Sequence, residues 1–190
     1  MTRIPLPATE ELSPEQRRVH DAIAGLRNGH IPVHYRAALY NPELSDKWQQ
    51  LGELLRFRTS LPLRLSELGI LVTARHHRCK YEWVMHEAVA LKAGLGEDLV
   101  QAIRQGRRPQ FAAAEDAAIY DYCAMLLETK FVDDATYKRA LDVIGARGIV
   151  ELTAMLGYYV MVAMSLNAHE LPLPPGKTGP AADDEPFFAD

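Results

Sequence analysis

Two short runs, Ser13-Pro14-Glu15-Gln16 and Asn41-Pro42-Glu43-Leu44, commit this chain to helices more firmly than anything else in it. In the first, a serine at the cap and a glutamine three residues on form a capping box. Pro14 takes the first helical position, where a missing N–H costs nothing. The helix it opens is expected to reach about Leu26, with Asn28-Gly29 as its stop. The second run starts a helix to about Phe57, in which Leu44, Trp48, Leu51 and Leu55 recur three and four residues apart and make one apolar face. Leu61-Pro62 then breaks the chain. Leu65, Leu68, Ile70, Leu71 and Val72 give the next helix a broad apolar surface that ends near His76-His77. Further helices are expected over 79–93, stopped by Gly94, and over 97–105, closed by Gly106. Three more are expected: 114–129, with Ile119, Tyr122, Cys123, Leu126 and Leu127 inward, then 133–144 and 147–168. No window alternates polar and β-branched residues as a half-buried strand would. The expectation is an all-α fold: a single helical domain of about seven or eight helices over residues 1–175. A loose tail rich in proline, glycine and acid follows over 176–190.

Bulk properties narrow the function. The 190-residue chain has a formal charge of −4 and scattered Lys and Arg, which argues against a nucleic-acid partner. Arg104 and Arg107-Arg108 read as a solvated connector. Two cysteines, Cys79 and Cys123, make no disulfide framework, and the first ten residues lack the apolar segment of a secretory leader, so a cytoplasmic location is expected. The apolar run Ile149–Leu166 contains Glu151 and has no second span beside it. A helix buried in the core or between subunits fits it better than a bilayer span, and no membrane partner is expected.

Chemistry concentrates between residues 67 and 86. Glu82 and His86, four apart on one helix, share a face and can meet directly, and Cys79 lies one turn earlier on the same face. Tyr81 and Trp83 flank this line and can wall a pocket. Glu67 sits on the preceding helix, which a tight connection at 76–78 would fold back alongside. A carboxylate beside an imidazole fixes its tautomer and raises its basicity, which makes a usable proton relay. The spacing alone also admits a plain surface ion pair, with Cys79 a small buried hydrophobe and Trp83 a core residue. As a metal signature Glu-x-x-x-His is weak beside the known zinc spacings, so no metal and no cofactor are expected. His34, His76, His77 and His169 have no spacing that demands a place in the site.

The stretch Leu61–Gly94, LPLRLSELGILVTARHHRCKYEWVMHEAVALKAG, resembles the signature of the carboxymuconolactone decarboxylase and alkylhydroperoxidase D-like superfamily. In that pattern a glutamate-bearing helix precedes a Cys-x-x-Cys-x-x-x-His helix and an alanine-rich run to a glycine. Glu67 falls at the Glu position, Cys79 at the first Cys, Glu82 at the second and His86 at the His. Asn41-Pro42-Glu43-Leu44, Trp48, Leu55-Arg56-Phe57 and the closing Asn167 with Leu171-Pro172-Leu173-Pro174 are similar to the decarboxylase-like branch, so the resemblance covers about residues 30–175. Glu82 in place of a thiol removes the two-cysteine disulfide cycle of the peroxidase branch.

The resemblance implies a cofactor-independent lyase doing acid–base work on a small carboxylated or lactone-type substrate. In that reading His86 is the general acid or base, Glu82 orients it and Glu67 adds a second proton-transfer or orienting group. Cys79, Tyr81 and Trp83 line the substrate pocket, with Tyr81 able to donate to a developing oxyanion and Arg75 or Arg78 near enough to be considered as carboxylate anchors. Two alternatives stand beside it: a peroxidase-related protein using Cys79 with an external thiol, and a non-catalytic oligomeric binding protein. The family also implies a homo-oligomer, trimer or hexamer. The apolar helix 149–166, with Tyr158, Tyr159, Met155, Met161 and Met164 on more than one face, agrees with that.

Overall fold

The computed structural model describes residues 2–177. Among these there are eight α-helices and no strand: α1 (Pro14–Gly25), α2 (Val33–Ala38), α3 (Pro42–Phe57), α4 (Leu63–His76), α5 (Lys80–Lys92), α6 (Glu97–Arg104), α7 (Ala114–Thr129) and α8 (Asp134–Ala168), with a 3-10 turn at Thr9–Glu11. The all-α expectation holds. Of the tail expected over 176–190, residues 178–190 lie outside the described residues.

The chain packs as two compact units. The first is Met1–Arg58 with Ser165–Pro172. Its helices start as their sequences require: Ser13 Oγ accepts from the Gln16 N–H at 3.3 Å while Gln16 Oε1 accepts from the Ser13 N–H at 2.9 Å, which closes the capping box. Asn41 Oδ1 caps α3 by accepting from the Leu44 N–H at 3.0 Å. Val19, Ile23 and Leu39 are fully buried, and His34, Tyr35 and Trp48 stack around a common centre. The inner face of α3 differs from the expected one. Ser45, Trp48, Gln49, Gly52 and Leu55 are buried, whereas Leu44 and Leu51 are exposed. Small residues win the inner positions because α3 approaches its neighbours closely there: Ser45 Oγ reaches the Tyr35 carbonyl at 3.4 Å. The short helix α2, unmarked by any cap in the sequence, forms the floor of this cluster.

The second unit is built on Thr59–Met164. α4 is its central element, with every residue from Leu65 to Ala74 buried. Gly69 permits this: a Cβ there would come within 3.2 Å of both Leu152 and Met155 of α8 and 3.5 Å of Cys123 on α7. The two closing helices expected from the sequence run as one element interrupted at Gly145, whose φ 68° and ψ 175° are open only to glycine. α8 is the one described helix long and apolar enough to cross a membrane by length and composition, and half of its most apolar window is buried.

Candidate functional site

The site rests on how α4 turns into α5. Arg78 takes the left-handed conformation, φ 55°, and the Cys79 N–H donates back five residues to the Ala74 carbonyl at 2.9 Å. This sharp stop folds α5 back along α4, as the expected connection at 76–78 requires. Cys79 becomes the cap residue of α5, and Glu82 and His86 follow on the stripe that faces inward.

Glu67, Glu82 and His86 converge there. His86 Nδ1 and Glu67 Oε2 are 2.7 Å apart, a short hydrogen bond that joins the two helices. His86 Nε2 lies 3.4 Å from Glu82 Oε2, within ion-pair range, yet that oxygen is buried and makes no hydrogen bond. The closer carboxylate is therefore the one on the neighbouring helix. Tyr159 of α8 closes the cluster, its ring edge-on to His86 at 5.2 Å and 90°. None of the three residues is more than 3% exposed. No signal in the sequence singled out Tyr159 for the site; Tyr158-Tyr159 reads there only as apolar helix.

Burial opposes a charge on His86, but the Glu67 hydrogen bond and the negative charges of Glu67 and Glu82 outweigh it and raise the imidazole above its ordinary 6.5. Two carboxylates and one imidazole in a dry site thus favour the imidazolium. Cys79 responds in the opposite sense. Full burial, then the Glu82 charge one turn away, push its thiol up to about 12 against weaker help from the Glu82 and Tyr81 backbone amides. The thiol, not the thiolate, is therefore the favoured form of Cys79 at neutral pH. Cys123, on α7, is also buried and raised, and both cysteines are free.

Tyr81 and Trp83 are buried on α5. The arginines are placed elsewhere: Arg75 Nε donates to the Arg104 carbonyl at 3.1 Å, capping the end of α6, and Arg78 is exposed. Among the described residues, no three His, Cys, Asp or Glu side chains are arranged to hold a metal ion.

A histidine raised in the folded state contributes stability that is fully present below 6.5 and lost as pH rises through its folded value. Urea unfolding of wild type and His86→Gln should therefore show a wild-type advantage at mildly acidic pH that shrinks at alkaline pH. Its size should reach about 3 kcal/mol, the low end for a broken buried pair. An advantage that grows with pH would mean His86 is held neutral.

Residues 42–120 match the carboxymuconolactone decarboxylase family. No curated protein matches the sequence. Solved structures share the fold: a peroxidase-related protein from Silicibacter sp. TM1040 has TM-score 0.73 at 16% identity, covering 92% of each chain. An alkylhydroperoxidase AhpD core protein, peroxidase-related, from Ralstonia eutropha JMP134 has TM-score 0.75 at 13% identity, covering 92% of this chain and 93% of its own. The debrominase Bmp8 has TM-score 0.70 at 14% identity, covering 92% and 91%, and a cysteine-to-alanine variant of it has been solved with 2,3,4-tribromopyrrole. The matched segment, 79 of the 190 residues, carries Glu67, Cys79, Glu82 and His86 together; over it the chain is similar to the carboxymuconolactone decarboxylase family, and it shares its helical fold with the peroxidase-related structures.

Proposed function

We propose that this protein is a cofactor-independent lyase that does acid–base chemistry on a small carboxylated or lactone-type substrate, with His86 as the proton donor. The observation that supports it is the buried Glu67–His86 hydrogen bond of 2.7 Å beside a second carboxylate. Glu67 holds Nδ1, which fixes the ring and leaves Nε2 as the working nitrogen. Loss of carbon dioxide breaks a C–C bond and leaves its electron pair on the adjacent carbon, delocalised into a carbonyl. The Nε2 proton of His86 then moves to that carbon, and solvent restores it. Glu82, whose Oε2 makes no hydrogen bond, stabilises the imidazolium between turnovers. The site is dry, so its charges act strongly, and substrate entry requires a local opening.

The competing thiol reading needs a Cys79 thiolate that burial and Glu82 suppress. With carboxymuconolactone as substrate, followed by carbon dioxide release, His86→Gln and Glu67→Gln should each lower kcat by about 100-fold or more, while Cys79→Ser stays within a few-fold of wild type. Turnover that survives His86→Gln and disappears with Cys79→Ser would contradict the lyase assignment.

The protein also associates with itself through α8. Val150, Ala154, Gly157, Met161 and Met164 are exposed at alternating spacings of four and three, the seam of a helix pair. Val150 is 69% and Met164 59% exposed, unusual for such residues. Light scattering should give a multiple of 21.3 kDa, reduced toward the single-chain mass by a Met161→Lys, Met164→Lys double variant. A wild-type mass of one chain would remove the idea.

A further inference from the structure

A helix at the surface of a globular protein ordinarily turns its charged and polar residues to water. α3 departs from that. It buries Ser45, Trp48, Gln49, Gly52 and Leu55, yet Leu44, Leu51, Leu54 and Phe57 on its outer side are 42% to 61% exposed. Leu44, Leu51 and Leu54 follow at intervals of seven and three residues, the spacing of a seam that packs against another helix. Phe57 extends the seam by a further turn, so that from Leu44 it runs roughly 20 Å at 1.5 Å per residue. Four large apolar side chains left in water on one element make a contact surface rather than scattered exposures.

Charges at the two ends of this stripe identify what covers it. Glu43 stands at its N-terminal end and Arg58 at its C-terminal end, and both are exposed. Arg58 Nη2 lies 3.4 Å from Glu53 Oε2 in a surface pair, which is worth little and is readily exchanged. Two copies of α3 laid antiparallel bring Glu43 of each toward Arg58 of the other, and their helix ends meet with opposite dipole sense. Laid parallel, they would set Glu43 on Glu43 and Arg58 on Arg58. Lys47, between Leu44 and Leu51, has a flexible stem that carries its charge to the rim. The midpoint of Glu43 and Arg58 falls beside Leu51, so a two-fold axis relating the copies passes close to that residue.

We infer that the outer face of α3 is an interface with a second copy of this chain, packed antiparallel about a two-fold axis near Leu51. The inference rests neither on the lyase assignment nor on pairing through α8.

Disulfide trapping on the full chain reads this geometry, in the Met161→Lys, Met164→Lys background so that α8 supplies no contact. Cys79 and Cys123 are buried and do not compete for the oxidant. Leu51→Cys should cross-link to twice 21.3 kDa, because the axis brings the two new thiols together. Leu44→Cys should not, since its thiol and the equivalent one on the other copy would be roughly 20 Å apart. Leu44 is the more exposed of the two positions, so random collision would favour it instead. Adding Glu43→Arg should lower the Leu51→Cys yield about fivefold, because the symmetry loses the ion pair twice. Adding Arg58→Glu as well should restore the yield. Absence of a Leu51→Cys dimer, or equal yields from the two cysteine variants, would overturn the inference. So would a yield indifferent to Glu43→Arg, or one that Arg58→Glu fails to restore.

Discussion

Glu67 and His86 form a hydrogen-bonded pair in the interior of a helical hairpin, and much else in Thr59–Met164 is arranged to keep it there. A carboxylate and an imidazolium moved out of water cost several kcal/mol each unless they meet in good geometry. That geometry demands a fixed register of α5 on α4, supplied by the left-handed Arg78 and the backbone bond from Cys79 to Ala74. It also demands that water stay out. Gly69 lets Leu152, Met155 and Cys123 close on α4 two residues from Glu67, and Tyr159 covers the imidazole edge. Removing either partner alone would strand a charge in a dry site.

The same electrostatics selects one chemistry over another. Carboxylates that hold a proton on His86 necessarily disfavour a negative sulfur one turn away, and burial adds to the effect on Cys79. A cluster of this sign suits proton delivery and opposes thiolate formation. The likeness to peroxidase-related and debrominase structures, at 13–16% identity, is a likeness of fold. The side chains of this chain, rather than the shared helices, argue for acid–base work.

Much of this was legible in the sequence, and the physical reason is locality. Caps at Ser13 and Asn41, stops at Gly94 and Gly106, and the i, i+4 relation of Glu82 and His86 depend on residues within one or two turns. What was not legible depends on partners distant in the chain. The inner face of α3 went to Ser45 and Gly52 rather than Leu44 and Leu51 because close approach to Tyr35 is a tertiary fact. Glu67 rather than Glu82 makes the short bond to His86 for the same reason: the helix pair sets that distance. Helix α2 lacks a side-chain cap, and Tyr159 looks like any core aromatic until α8 is placed.

Two buried carboxylates favour a proton on both ring nitrogens of His86 and raise the imidazole above its ordinary 6.5. Nitrogen NMR of imidazole-labelled protein, followed against pH, reads that state directly. One histidine should titrate above its ordinary 6.5, assigned to His86 by its loss in His86→Gln and lowered in midpoint by Glu67→Gln. A His86 midpoint at or below 6.5, or one unmoved by Glu67→Gln, would contradict this assignment.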